Sequence, residues 1–199
     1  MDVLGKILFR LRKFRKEPII PPYEEKRAIL LSYKNKYALN IFIETGTFLG
    51  DTVDFFKNTF DKLYSIELSK ELADKAARRF EGQPKIKIIQ GDSGKVLTDL
   101  VKGLGQPALF WLDGHYSSEF FLGDEYIKTA RADKDTPIEQ ELNIVLNTPE
   151  QHIILIDDAR LFDGHGDYPS LRTIRKKVAA SPHKFQVFVE KDIINIIPQ

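Results

Sequence analysis

From Tyr37 to the C-terminus, short apolar segments alternate regularly with amphipathic helical patterns. The apolar segments are continuous aliphatic and aromatic runs, which read as strands: "ALNIFIETG", "KLYSIEL", "KIKIIQGD", "PALFWLDG" and "HIILIDDA". Buried strands separated by helices are typical of a parallel sheet covered on both faces. A final pair, "FQVFVE" and "IINII", is joined by a tight turn at Lys191-Asp192. We therefore predict a Rossmann-like, doubly wound α/β domain with a mostly parallel seven-stranded sheet and an antiparallel C-terminal edge strand.

The chain divides into an N-terminal segment, residues 1–22, and a main domain, residues 23–199. With 199 residues and 42% hydrophobic content, one well-packed domain is expected. The segment "MDVLGKILFRLRKFRKE" predicts an amphipathic basic helix, and the prolines of "EPIIPPY" predict a stiff spacer after it. Two interpretations of this helix stay open. It lies on an anionic membrane surface, or it docks on its own domain or on a second subunit of a homo-oligomer.

Charge and cysteine content narrow the function classes. The chain has 30 basic and 29 acidic residues, a net charge of +1, which argues against an overall electrostatic surface for nucleic acid. Because there are no cysteines, disulfides, thiolate catalysis and cysteine-ligated zinc are excluded. A metal ion would have to bind to oxygen or imidazole ligands. We predict a cytoplasmic protein, with membrane association through the N-terminal helix left open.

Acidic residues follow each of the first five predicted strands. They are Glu44, Glu67, Asp92, Asp113 and the pair Asp157 and Asp158. In an open parallel sheet, ligands bind outside the carboxyl ends of the strands, near the point where the strand order reverses. Serine, asparagine or glycine would close a strand equally well, so the repeated carboxylates indicate a function. We expect them to share one edge of the sheet.

The turn after the first strand predicts the ligand. A dinucleotide-binding fold would show G-x-G-x-x-G, whereas this chain has Gly46-x-x-x-Gly50 with Glu44 in front. A carboxylate there would repel a pyrophosphate but favour a cationic amine and a sulfonium. S-adenosylmethionine matches this pattern best, with the turn residues in contact with it: Glu44, Thr45, Gly46 and Thr47.

The acids after strands two and three predict the remaining cofactor contacts. Glu67 lies about twenty residues past the first turn, where an acid can accept hydrogen bonds from ribose hydroxyls; alternatively it caps or pairs with the next helix. Asp92 and Ser93 contact an adenine edge or cap the helix that begins near Gly94. The predicted cofactor-binding residues are Glu44, Thr45, Gly46, Thr47, Glu67, Asp92, Ser93 and Asp113.

Several motifs resemble those of a known family. They are "FIETGTFLGDTV", "LYSIELS", "KIIQGDS", "LFWLDGHYS", "DTPIEQEL" and "ILIDDAR". Together, over roughly Asn40 to Leu171, they resemble the class I S-adenosylmethionine-dependent methyltransferases. More narrowly, they are similar to the branch of macrocin-type, metal-dependent sugar O-methyltransferases. The pair "LDGHYS" and "IDDAR" is the most discriminating part.

The resemblance implies a metal site and a catalytic base. In the family, aspartates matching Asp113, Asp157 and Asp158 bind a divalent cation, which we expect to be Mg²⁺. A residue two positions after the first aspartate serves as base; many members have aspartate there, and this chain has His115. Adjacent strand residues point to opposite faces, so Asp157 and Asp158 can share an ion only if the chain has left the strand. Alternatively, one of them orients a loop, and His115 binds a carbonyl.

Two loops on the same edge are expected to form the acceptor pocket. They are "YSSEFFLGDEYIKTARADKD" and "RLFDGHGDYPS". Their aromatic and basic residues suit a polar, ring-bearing acceptor: Tyr116, Phe120, Phe121, Tyr126, Arg131, Arg160, Phe162 and Tyr168. We predict a Mg²⁺-dependent O-methyltransferase acting on a hydroxyl of a carbohydrate, glycoconjugate or related small molecule. A metal-independent methyltransferase, a non-catalytic cofactor-binding protein and a membrane-associated scaffold stay open as alternatives.

Overall fold

The structure is a computed structural model that describes residues 20–116, 119–123, 125–130 and 134–199. The predicted N-terminal basic helix therefore lies outside the described residues, as do Arg131 and the side chains of Phe120 and Phe121. Within the described part of the chain, no helix is long and apolar enough to cross a bilayer.

Helices and strands alternate as the hydrophobic pattern predicts. The helices are α1 (Tyr23–Lys36), α2 (Asp51–Phe56), α3 (Lys70–Arg79), α4 (Ser93–Leu100), α5 (Ile138–Leu146) and α6 (Leu171–Ala179). The strands are β1 (Ile41–Thr45), β2 (Lys62–Glu67), β3 (Ile86–Gln90), β4 (Leu109–Leu112), β5 (Glu119–Leu122), β6 (Glu125–Lys128), β7 (Ile153–Ile156), β8 (Phe185–Glu190) and β9 (Ile193–Pro198). Short 3₁₀ turns follow α4 and β7.

A seven-stranded sheet in the order β3-β2-β1-β4-β7-β9-β8 organises the domain. The first five strands of this order are parallel, and β9 pairs antiparallel with both β7 and β8. The predicted fold class is confirmed. The last strand of the chain, β9, lies inside the sheet, and β8 forms its edge. Their burial explains this order, because β9 is buried along most of its length and β8 is not.

The core lies on both faces of this sheet. In β1, Ile41 and Ile43 pack on one face, against residues such as Leu142 of α5, whereas Phe42 packs on the other with Phe56 of α2. This division follows from the alternation of side chains along a strand. The helices pack against both faces of the sheet and leave the carboxyl ends of its strands open to form a site.

The helix α1 is not anticipated by the sequence analysis, which assigned no element between the proline-rich spacer and Tyr37. It begins at Tyr23 after Pro22, carries acidic residues in its first turn and lysines in its last, and buries Leu30 and Tyr33. It also buries Lys26, which lies near the helix start. The first described helix therefore brings a charged side chain into the domain.

The long loop after β4 contains a second, small sheet. Strands β5 and β6 pair antiparallel as a two-stranded hairpin, which the sequence analysis treated as an irregular loop. After the hairpin, Thr129 and Ala130 border the cavity described below. The predicted placement of this loop at the site edge agrees with that position.

Candidate active site

A cavity of about 650 Å³ lies at the carboxyl ends of the parallel strands. The strand order reverses between β1 and β4, because the chain builds β2 and β3 on one side of β1 and then returns to its other side. The predicted residues that line the cavity are Glu44, Gly46, Thr47, Glu67, Asp92, Ser93, Asp113, His115, Asp157 and Asp158. Thr45 does not line it. Its side chain is fully buried, since neighbouring strand residues point to opposite faces.

Gly46 holds the ends of β1 and β4 close together. Its φ is +86°, and a Cβ atom added there would lie 2.7 Å from the carbonyl oxygen of Asp113. Its N–H donates to the carbonyl of Ile66 at 2.9 Å, which ties the turn to β2 as well. Glycine is therefore required at this position both by backbone conformation and by space.

Glu44 is buried at the floor of the cavity. Its Oε2 accepts a hydrogen bond from the Ser65 hydroxyl at 2.6 Å. Burial raises the pKa of Glu44 to about 8, and the nearby charge of Glu67 adds to this rise. In the free protein this carboxyl is therefore largely protonated at neutral pH. A cationic ligand group beside it would favour the ionised form.

Glu67 accepts hydrogen bonds from two backbone amides. Its Oε2 accepts from the Phe48 N–H and its Oε1 from the Ser69 N–H, both at 2.9 Å. Burial raises the pKa of Glu67. The backbone N–H groups of Leu68 and Thr47 also stabilise its charged form, so a ligand hydroxyl would share this carboxylate with backbone donors. The contact with Ser69 matches the helix-start alternative, and the ribose contact stays a prediction.

The residues after β3 are used in local structure. Asp92 caps α4 by accepting from the Gly94 N–H at 3.0 Å. Ser93 donates its hydroxyl to Oε1 of Glu141 at 2.5 Å. Glu141 is fully buried, and burial raises its pKa to about 7. Both Asp92 and Ser93 still border the cavity, so the adenine contact remains a prediction alongside the cap.

The three aspartates Asp113, Asp157 and Asp158, here called the acidic cluster, meet at one side of the cavity. The strand β7 ends at Ile156, and Asp158 adopts a left-handed conformation with φ +55°. The chain has thus left the strand, which is the condition for both adjacent carboxylates to approach one cation. Burial, together with the charges of Asp157 and Asp158, raises the pKa of Asp113 well above its usual range.

A lysine from α1 makes the closest contacts to this cluster. Lys26 Nζ donates to both carboxylate oxygens of Asp157, at 2.6 and 2.7 Å, and lies 3.5 Å from Oδ1 of Asp158. The sequence analysis missed Lys26. Its signal was weak, since a lysine in the first turns of a helix usually faces solvent.

His115 lies between two members of the acidic cluster. Its Nδ1 is 3.5 Å from Oδ1 of Asp113, and its Nε2 is 3.9 Å from Oδ2 of Asp158. It is partly exposed and borders the cavity. His115 therefore borders the ligand space, and its assignment as the catalytic base stays a prediction.

Several other loop residues have structural roles. Phe162 is buried and packs edge-to-face on Tyr168. Arg160 pairs with Asp158 and Asp192.

Two further histidines do not line the cavity. His165 is exposed near Asp163, and His152 is buried and accepts from the Ala108 N–H. Burial lowers the pKa of His152 to about 4, which keeps it neutral.

Solved structures of other proteins share the fold of this chain. No protein-family model matches the chain, and no curated protein matches its sequence. The O-methyltransferase from Bacillus cereus in complex with S-adenosylhomocysteine superposes with a TM-score of 0.55 at 14% identity, covering 99% of this chain and 91% of that one. The O-methyltransferase TomG from Streptomyces achromogenes, involved in tomaymycin synthesis and bound to S-adenosylmethionine, gives 0.56 at 14%, covering 100% and 91%. This chain has the methyltransferase fold.

The similar structures differ in what they act on. The 23S rRNA methyltransferase ErmE superposes with a TM-score of 0.53 at 13% identity, covering 90% of this chain and 69% of that one. An rRNA methyltransferase and two O-methyltransferases thus resemble this chain to a similar degree. The macrocin-type branch is not confirmed by these neighbours.

Proposed function

We propose that this protein is an S-adenosylmethionine-dependent O-methyltransferase that acts on a hydroxyl of a carbohydrate or related small molecule. The supporting observation is the convergence of five strand ends, with Gly46 and the acidic residues, on one cavity of about 650 Å³ in a methyltransferase fold. The volume is in the range of small-molecule sites. This supports binding of the cofactor together with a modest acceptor.

The cofactor is proposed to lie across the switch point. Glu67 accepts from the ribose hydroxyls, and Asp92 and Ser93 border the adenine. The methionine part lies over the turn at Gly46, with its cationic groups near Glu44. These groups would lower the pKa of the buried Glu44 carboxyl from about 8, so that an ion pair forms on binding.

Methyl transfer is then a single displacement. Bound S-adenosylmethionine would supply an electrophilic methyl group: the acceptor oxygen would bond to the methyl carbon as the carbon–sulfur bond breaks and its electron pair passes to sulfur, giving S-adenosylhomocysteine. His115 accepts the hydroxyl proton. Holding the reacting atoms in line can supply on the order of 7–11 kcal/mol of the barrier.

Magnesium does not fit the acidic cluster as its side chains are arranged. Both carboxylate oxygens of Asp157 bind Lys26 Nζ, which also approaches Asp158. Among the described residues, no group of three or more histidine, aspartate or glutamate side chains is placed to hold a metal ion. These contacts favour the metal-independent alternative, and we derive no step of the reaction through magnesium.

Aromatic residues at the cavity support a ring-bearing acceptor. Tyr23 of α1 is half exposed, and both Tyr23 and Tyr116 line the cavity. Aromatic faces of this kind stack on the apolar faces of sugar rings while polar neighbours bind the hydroxyls. Tyr126, on the hairpin, is also exposed. The carbohydrate class rests on this surface.

Calorimetry with S-adenosylmethionine, S-adenosylhomocysteine and NAD tests the proposal. We expect the first two to bind and NAD not to bind. Turnover on a panel of sugars, measured with and without EDTA, then distinguishes an enzyme from a cofactor-binding protein. Binding of NAD in preference to both adenosyl ligands would refute the proposed function.

Glu67→Gln tests the ribose contact. The amide removes the negative charge but keeps one carbonyl acceptor, so the loop contacts made by Glu67 are disturbed less than by Ala. We expect the affinity for S-adenosylhomocysteine, measured by calorimetry, to fall at least tenfold. The matched control is Glu71→Gln, at an exposed position in the first turn of α3, which should leave affinity unchanged. Equal affinity for Glu67→Gln and the unmodified protein would contradict the assignment.

A further inference from the structure

Lys26 brings a buried positive charge to the acidic cluster. Its exposure is 4%, although an unpaired lysine is seldom buried to this extent. Its Nζ lies 2.6 and 2.7 Å from the two oxygens of Asp157 and 3.5 Å from Asp158. It also lines the main cavity. The ammonium thus lies where two adjacent carboxylates and the ligand space meet.

Stability alone is a weak explanation for this arrangement. Burying two charges costs nearly as much as their attraction returns, and apolar residues of similar volume often stabilise a fold as well or better. The same helix already docks through Leu30, which is fully buried. The partner, Asp157, is 131 residues away in sequence and lies at the cavity. A charge pair placed there points to a role in the site.

The repulsion within the acidic cluster has to be relieved. Three carboxylates that face one cavity repel one another, and this repulsion favours either protonation of one of them or the approach of a cation. Arg160 neutralises only part of the charge of Asp158, because it also pairs with Asp192. The Lys26 ammonium supplies a positive charge and up to three N–H donors to Asp157 and its neighbour.

We propose that Lys26 is a positioning residue that acts as a built-in cation, holding Asp157 and Asp158 in place of a divalent metal ion. This inference rests on the proposed function and deepens it, because it makes methyl transfer to the hydroxyl independent of added metal. The lysine does not need to touch the acceptor. Lys26 lies 3.5 Å from Asp158, and Asp158 lies 3.9 Å from Nε2 of His115, the proposed base. Lys26 therefore helps to hold the carboxylate beside that base in position.

Manganese titrations of charge variants test the proposal without an acceptor. Lys26→Met removes the charge and keeps a similar length, and Lys26→Arg keeps the charge. We expect the full-length unmodified protein and Lys26→Arg to bind Mn²⁺ weakly, as measured by electron paramagnetic resonance. Lys26→Met should bind one Mn²⁺ per chain at least tenfold more tightly, and Mn²⁺ should raise its unfolding midpoint. Because removal of any nearby positive charge favours cations to some extent, the deciding readouts are the binding of one Mn²⁺ per chain and the rise of the unfolding midpoint with Mn²⁺.

The controls separate this proposal from the proposed function. Lys36→Met, at an exposed position at the other end of α1, should leave Mn²⁺ binding unchanged. If Lys26→Met does not fold, the titration of the unmodified protein still decides, because tight Mn²⁺ binding there overturns the proposal. A folded Lys26→Met variant without the gain also overturns it. Failure of the unmodified protein to bind S-adenosylhomocysteine would refute the proposed function but would not alter the Mn²⁺ readout.

Discussion

Gly46→Ala is expected to weaken the affinity for S-adenosylhomocysteine at least tenfold and to lower the free energy of unfolding. Two costs combine at this position. An alanine at φ +86° is strained by roughly 1–2 kcal/mol, and its Cβ would lie 2.7 Å from the Asp113 carbonyl oxygen. This oxygen belongs to the backbone directly after β4, where the Asp113 N–H donates to the Thr45 carbonyl at 3.1 Å, so the end of β1 or β4 must shift, with a further cost of about 1–3 kcal/mol. Urea unfolding and calorimetry measure the two effects.

Gly82→Ala is the matched control for the backbone strain. Gly82 has φ +78°, close to that of Gly46, but an added Cβ would meet nothing within 4 Å. Its substitution should therefore cost only the conformational part, about 1–2 kcal/mol, and leave ligand affinity unchanged. The difference between the two variants isolates the collision with Asp113. If both lose the same stability and neither loses affinity, the close approach of β1 and β4 does not shape the site.

The fold could be predicted because buried parallel strands have a strong local signal. Continuous apolar runs such as Ile41–Thr45 and Ile153–Ile156 can be read without knowing their neighbours. The helix α1 could not be read in the same way, since its buried face includes Lys26 beside Leu30 and Tyr33. The order of β8 and β9 was also hidden, because both segments are apolar and the difference in burial appears only after the sheet has formed.

The positions of the candidate site residues could be predicted from the strand ends. Their ionisation states and ion pairs could not. Parallel topology alone brings Glu44, Glu67 and Asp113 to one edge. Whether a carboxyl there is ionised depends on its burial, and its burial depends on the packing of the whole domain. Glu44 is an example, because burial raises its pKa to about 8. The contact between Lys26 and Asp157 joins distant parts of the chain, and no local pattern indicates it. For that reason the sequence pointed to a metal ion where the structure places an ammonium group.

The stability of the protein is expected to fall as pH rises from about 5 to 8, with a smaller slope below about pH 6.5, where the buried His152, whose pKa is lowered to about 4, acts in the opposite direction. Burial raises the pKa of Glu44 to about 8 and that of Glu141 to about 7, from an ordinary value of 4.5. In this window the folded state holds protons that the unfolded state has released, so raising the pH favours unfolding. Their contribution is fully present below about pH 4.5 and is lost as pH passes the folded-state values. Each group contributes a slope of up to about 1.4 kcal/mol per pH unit.

Urea unfolding at intervals between pH 5 and 9, in a single ionic strength, measures this slope. Glu141→Gln and Glu44→Gln keep an acceptor for Ser93 and Ser65 but cannot titrate, so each should flatten the profile across the window. Glu81→Gln, at an exposed position, should leave the profile unchanged. Burial also raises the pKa of Asp113 and Asp157, so some slope should persist in a variant that carries both substitutions. A stability that rises toward pH 8, or a slope unaffected by both substitutions, would show that these carboxyls are ionised in the folded protein.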